Sequence, residues 1–152
     1  MSDVPLVRLL SMAVTVALEE LHTELHERGH GTLRPAHGYA LNAVLNGRDT
    51  VSEMAPLLGM TKQGAAKLVQ ALIDEDYLAI DEAGGADARR KPLVLTARGH
   101  EAVQVSVDIQ DRIEREWAEL VGPRRMASTR AALERAVTHA AGGGYPPVRL
   151  GW

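Results

Sequence analysis

Two short runs hold the side chains suited to binding a polyanion. The first is Thr61, Lys62, Gln63 and Gly64, followed by Ala66, Lys67 and Gln70. A glutamine amide can pair with the adenine edge in a DNA major groove, a lysine with guanine or phosphate, and an alanine methyl with a thymine methyl. Gly64 would let the backbone come close, while Thr61 is a helix cap first and a phosphate contact second. The second run is Asp87, Arg89, Arg90 and Lys91, with Arg98 a little further on. An arginine at a bendable tip can enter a narrow minor groove, where the potential is most negative. Arg90 and Lys91 suit phosphates, giving affinity that depends on salt and not on sequence. Arg98 is equally suited to a phosphate contact or a surface ion pair.

The charge distribution agrees with this reading better than the total does. The 152 residues carry a formal net charge of −3. Residues 61–73 carry +2 and residues 88–100 carry +4, with no acid in either run, so the remainder holds −9. Acid elsewhere would keep the other faces away from phosphates.

The histidines offer a rival chemistry. His22, His26 and His30 are four apart, and His37 follows. Imidazoles at that spacing on one helix face can bind zinc. A metal-sensing site built on His22, His26 and His37 is therefore the alternative, and a metal-dependent hydrolase drawing on Glu19, Glu20, Glu24 and Glu27 is a more distant one. Gly29 and Gly31 interrupt the helix near His30, and no later His pair completes a site. No phosphate-binding glycine loop or nucleophile elbow is present either. The expectation is a non-enzyme with no catalytic residues, no metal and no cofactor. The chain has no Cys, which removes disulfides and thiolate chemistry and fits a reducing cytoplasm. No apolar run reaches the roughly 18 residues that span a bilayer, so no membrane partner is expected. The apolar start leads straight into Glu19 and Glu20 in helical register and reads as a first helix of the mature chain.

Periodicity gives the helices and strands that carry these residues. Leu6, Leu9, Leu10, Ala13, Ala17, Leu21 and Leu25 form a stripe on a helix over 5–28. A second helix covers 35–46. A third runs over 52–58; Ser52 is its expected cap, because a cap at Thr50 would place Pro56 deep inside the helix. Gly59 and Thr61 separate it from a fourth helix over 62–75, whose inner face is Ala65, Leu68, Val69, Leu72 and Ile73. Strands at 77–80 and 93–95 flank a Gly-rich tip. Thr96 caps a helix over 97–121, and a last helix covers 124–141. This order predicts a mainly α (α+β) fold: a winged helix-turn-helix module over 35–100, a helical dimerisation domain from both termini (1–34 and 122–152), and a long connecting helix over 101–121. With 45% apolar residues and terminal stripes wider than one small core uses, the chain should pair with a second copy.

Asp87-Ala88-Arg89 and then Leu93-Val94-Leu95-Thr96-Ala97-Arg98-Gly99 resemble the wing pattern of the MarR family of bacterial winged-helix regulators. Leu58-Gly59-Met60-Thr61-Lys62 and Leu68-Val69-Gln70-Ala71-Leu72 resemble the start and body of that family's recognition helix. The resemblance covers nearly the whole length. It implies a DNA-binding transcriptional regulator, acting as a repressor, that binds a pseudo-palindromic operator of double-stranded DNA as a homodimer and is released by a small-molecule effector. It also implies that Asp87 orients Arg89 through a charge-assisted hydrogen bond. An effector pocket would lie between the DNA module and the dimer helices, with Leu33, His37, Tyr39 and Leu41 as its expected lining. Gly64 and Ala66 stand where the family often has hydroxyl residues. Asp76 stands where a glycine commonly follows the recognition helix, so that helix end must be closed differently.

Overall fold

The structure is a computed structural model and describes residues 3–83 and 91–146. Helix α1 spans Leu6–Leu25 and runs on into one π-helical turn, His26–His30, in which Gly29 takes φ +89°. The expected glycine break is there: Gly29 leaves helical geometry and kinks the chain between α1 and the turn that follows. Helices α2 (Pro35–Leu45), α3 (Val51–Leu57) and α4 (Lys62–Asp74) follow. Strands β1 (Leu78–Ile80) and β2 (Leu93–Leu95) form an antiparallel pair with Leu78 opposite Leu95 and Ile80 opposite Leu93. Helices α5 (Ala97–Val121) and α6 (Pro123–Ala140) complete the described chain.

The α3 cap corrects the sequence expectation. Thr50, not Ser52, takes extended geometry, and its hydroxyl oxygen accepts the Glu53 N–H at 3.3 Å while donating to the Glu53 carboxylate at 2.9 Å. Pro56 therefore does sit inside the helix and deprives the Ser52 carbonyl of its usual partner. The helix ends one residue later, so the loss is confined to a single rung. The following Gly59 (φ +61°) closes the end: its N–H bonds to Pro56 and that of Met60 to Ala55.

Two apolar cores divide the molecule. The larger packs Leu41, Val44, Met54, Leu58, Leu68, Val69, Leu72, Tyr77, Leu78 and Leu93 under α2–α4 and the sheet. The smaller joins Leu21 and Leu25 of α1 to Ile109 and Ile113 of α5. Helix α5 reaches both, since Ala102 belongs to the first and Ile109 to the second. Arg112 reinforces the second junction with bonds to Glu20 at 2.9 Å and Glu24 at 2.6 Å across the helix pair. Among the described residues no helix is long and apolar enough to cross a membrane.

Candidate nucleic-acid interface

Helix α4 is positioned by burial on one side only. Ala65, Leu68, Val69 and Leu72 are buried, and Thr61, Lys62, Gln63, Ala66, Lys67 and Gln70 are exposed, with Gly64 half-buried. This is the division a 3.6-residue period produces when one stripe packs and the other faces solvent. Thr61 begins the helix: its hydroxyl oxygen accepts the Gly64 N–H at 3.0 Å. The remaining free N–H groups of that turn give its surface a partial positive charge beside Lys62. Gln70 donates its amide to Asp74 at 2.8 Å one turn on, which orients the amide at the far end of the exposed face.

The end of α4 solves the missing-glycine problem with the same geometry. Asp76 itself takes φ +62°. Its N–H bonds to the Ile73 carbonyl at 3.0 Å, and the Tyr77 N–H bonds to Leu72 at 2.8 Å. That bond pair is a Schellman closure, and a short polar side chain tolerates the left-handed backbone better than most. Tyr77 then enters the core fully buried.

The wing is anchored at its base. Leu93 N–H bonds to the Asp49 carbonyl at 2.7 Å, and Asp81 N–H bonds to Pro92 at 2.8 Å. Thr96 caps α5 by accepting the Gly99 N–H at 3.0 Å, and its hydroxyl donates to the Asp76 carbonyl at 2.5 Å. A Cβ at Gly99 would stand 2.2 Å from the Tyr77 carbonyl oxygen, so only glycine fits there. The Thr-x-x-Gly spacing is thus the joint that ties the wing, the end of α4 and α5 together. Lys91 is exposed on the returning arm of the wing. Asp87, Arg89 and Arg90 lie outside the described residues.

Arg98 corrects an expectation. Its guanidinium turns into the fold, donating to the Gly29 carbonyl at 3.2 Å and the Tyr77 hydroxyl at 3.1 Å, and lying 4.7 Å from the Tyr77 ring centre. It makes the internal cation–π contact that an arginine plane allows, a role that neither expectation included.

The histidines do not gather into one site. His26 is exposed, His30 is buried against Tyr77, and His37 caps α2 by accepting the Arg34 N–H at 2.8 Å on Nδ1. Among the described residues no group of three or more His, Cys, Asp or Glu side chains could hold a metal ion. Burial, with the Arg34 charge, holds both His22 and His37 below the ordinary histidine value, so both favour the neutral form.

A cavity of about 100 Å³ opens between α1, α2 and α5. Leu33, Tyr39 and Leu41 line it, as do His22 and Arg34. His37 is not among its walls; its ring is committed to the α2 start. His22 and Arg34 were not expected here, because their inward side is set by the turn between α1 and α2 and leaves no periodic signal.

No protein-family profile matches the chain, and no curated protein matches it in sequence. Solved structures do match it in fold. Transcriptional regulator Tm0710 from Thermotoga maritima is 22% identical, with 87% of this chain and 91% of that one covered at a TM-score of 0.60. The MarR-family protein Rv2887 from Mycobacterium tuberculosis, in complex with salicylic acid, is 21% identical, covering 89% and 98% at 0.65. A mutant of MepR from S. aureus bound to an oligodeoxyribonucleotide is 17% identical, covering 91% and 99% at 0.59. The chain has the winged-helix fold of these regulators over nearly their whole length.

Proposed function

We propose that the chain is a DNA-binding transcriptional regulator of the MarR type, acting as a homodimer. The observation that carries this reading is the exposed face of α4. Lys62, Gln63, Ala66, Lys67 and Gln70 stand together there on a helix free of acid from Thr61 to Ile73, behind a core that fixes its orientation. A helix of this diameter fits a B-DNA major groove and presents its N-terminal turns first. Gln63 and Lys62 would then meet base edges, Lys67 a base or phosphate, and Gln70 the far side of the groove. Arg89, Arg90 and Lys91 would carry the wing's minor-groove and phosphate contacts, with Asp87 orienting Arg89. A MepR structure with bound oligodeoxyribonucleotide supports nucleic acid as a ligand of this fold.

Two copies are required to cover the terminal helices. Leu6, Val7, Met12, Val14 and Val16 of α1 and Leu120 of α5 are each at least half exposed. Beside them an apolar groove of about 490 Å³ runs between α1, α5 and α6. Monomers rarely leave so much contiguous apolar surface in water. A two-fold pair would place two α4 helices on successive major grooves of a pseudo-palindromic operator. Repression follows if that operator overlaps a promoter. The cavity beside Leu33, Tyr39 and Leu41 supports release by a small molecule, through preference for a dimer whose α4 helices are out of register with the grooves.

A gel shift against the intergenic DNA upstream of the gene tests the reading. The expected result is a retarded complex at about 50 mM salt that weakens steeply by about 200 mM. Absence of any salt-sensitive complex overturns it.

A further inference from the structure

Behind the proposed interface lies a buried polar cluster that the DNA reading does not use. It joins three elements: the π-turn after α1, the residue that closes α4, and the first turn of α5. Tyr77 is fully buried and His30 is 2% exposed. The Nδ1 of His30 is 3.0 Å from the Tyr77 hydroxyl oxygen, and the rings meet at 5.7 Å. Arg98 bonds to that same hydroxyl and to the Gly29 carbonyl beside His30. The Nε2 of His30 is buried with no hydrogen-bond partner among the described residues.

We propose that His30, Tyr77 and Arg98 form a proton-operated joint. It locks the π-turn to the end of α4 while His30 is neutral and opens when His30 takes up a proton. Arginine can only donate, so the Tyr77 oxygen accepts from Arg98. The hydroxyl proton of Tyr77 is then free to go to Nδ1 of His30, 3.0 Å away, which accepts it when the neutral ring carries its own proton on Nε2. A protonated His30 would donate from both nitrogens. Nδ1–H would displace the Tyr77 proton from its acceptor, and the ring would hold its charge in a buried space, its Nε2–H unpaired as it already is in the neutral form. The charged groups facing His30 are Arg98 and Glu101, both from α5: the first opposes protonation and the second favours it. Burial, with Arg98, outweighs Glu101 and holds His30 below the ordinary histidine value.

The joint is wired to the recognition helix through the backbone. Tyr77 N–H bonds to Leu72 of α4 and its carbonyl accepts the Thr96 N–H. Moving the Tyr77 ring therefore disturbs the Schellman closure of α4 and the start of β1 together. That this would alter DNA affinity rests on the regulator reading; that the joint opens does not.

The test is NMR of the full chain from about pH 8 to about pH 5, paired with hydrogen exchange corrected for the intrinsic pH effect. The His30 ring is expected to titrate below about 6.5, with the Gly29, Tyr77 and Arg98 amides moving at the same midpoint. Exchange around residues 26–33 and 72–80 is expected to rise about tenfold through that window. His30→Gln should remove the step and His22→Gln should keep it. A His30 that titrates at its ordinary value with those amides unmoved would overturn the proposal, and so would a step that survives His30→Gln. Wild-type NMR decides alone if the variant does not fold. Neither readout involves DNA, so failure here is distinct from failure of the regulator reading.

Discussion

Arg98 and Lys62 are both basic residues at the start of a helix, yet their environments assign them opposite work. Arg98 has two internal acceptors and an aromatic face, whereas Lys62 is exposed at the first turn of α4. Arg98→Ala leaves the Gly29 carbonyl and Tyr77 hydroxyl short of a donor and should lower unfolding free energy by about 1–3 kcal/mol. Lys62→Ala should change stability by less than about 0.5 kcal/mol. Chemical denaturation of the two variants checks this; equal losses would mean that Arg98 is not held inward. The histidines add a pH dependence with a defined sign. His22, His30 and His37 are all held below the ordinary value, so the folded chain binds fewer protons than the unfolded chain under mild acid. Their contribution is complete above about pH 6.5 and is lost as pH falls through the folded values. A Tm that holds from about pH 8 to about pH 7 and declines below about pH 6.5 is expected; a Tm that rises on acidification would reverse the assignment.

At the scale of elements, two backbone positions carry more than their neighbours. Gly99→Ala improves helix propensity by about 1 kcal/mol but drives a Cβ into the Tyr77 carbonyl. The net effect should be a loss of about 1–3 kcal/mol, as for other overpacked sites. At Asp76, with φ +62°, substitution by Ala should cost about 1 kcal/mol while Gly should be neutral or stabilising. Thermal melts that rank Gly99→Ala above wild type, or Asp76→Ala above Asp76→Gly, would contradict the geometry. These joints also show what a sequence makes legible. The bounds of α5 and its Thr96 cap follow from a side-chain pattern, and so does the exposed face of α4. Thr50 over Ser52 did not follow, because a cap that satisfies two groups outweighs one proline rung in a helix of 7 residues. The inward turn of Arg98 and the His37 cap were hidden as well. Each depends on a partner far along the chain or on a local bond that periodicity does not encode.

For the whole molecule, the two cores joined by α5 tie the α4 face to the surface proposed to pair with a second copy. Analytical ultracentrifugation should give twice the 16.4 kDa chain mass. Val14→Glu combined with Leu120→Glu, at sites 53% and 84% exposed, should give a folded chain of single mass, because neither side chain supports its own core. A double variant that keeps the doubled mass would place the pairing surface elsewhere. With a net charge of −3, any attraction for DNA would be confined to the proposed basic face.

Whether α4 meets DNA is decided by the salt dependence of binding to upstream duplex DNA, followed by fluorescence anisotropy for wild type and for Lys67→Ala. Log K should fall steeply and linearly with log salt for wild type, with a slope shallower by about 1 for Lys67→Ala if that lysine meets a phosphate. A wild-type affinity indifferent to salt would contradict DNA binding by α4.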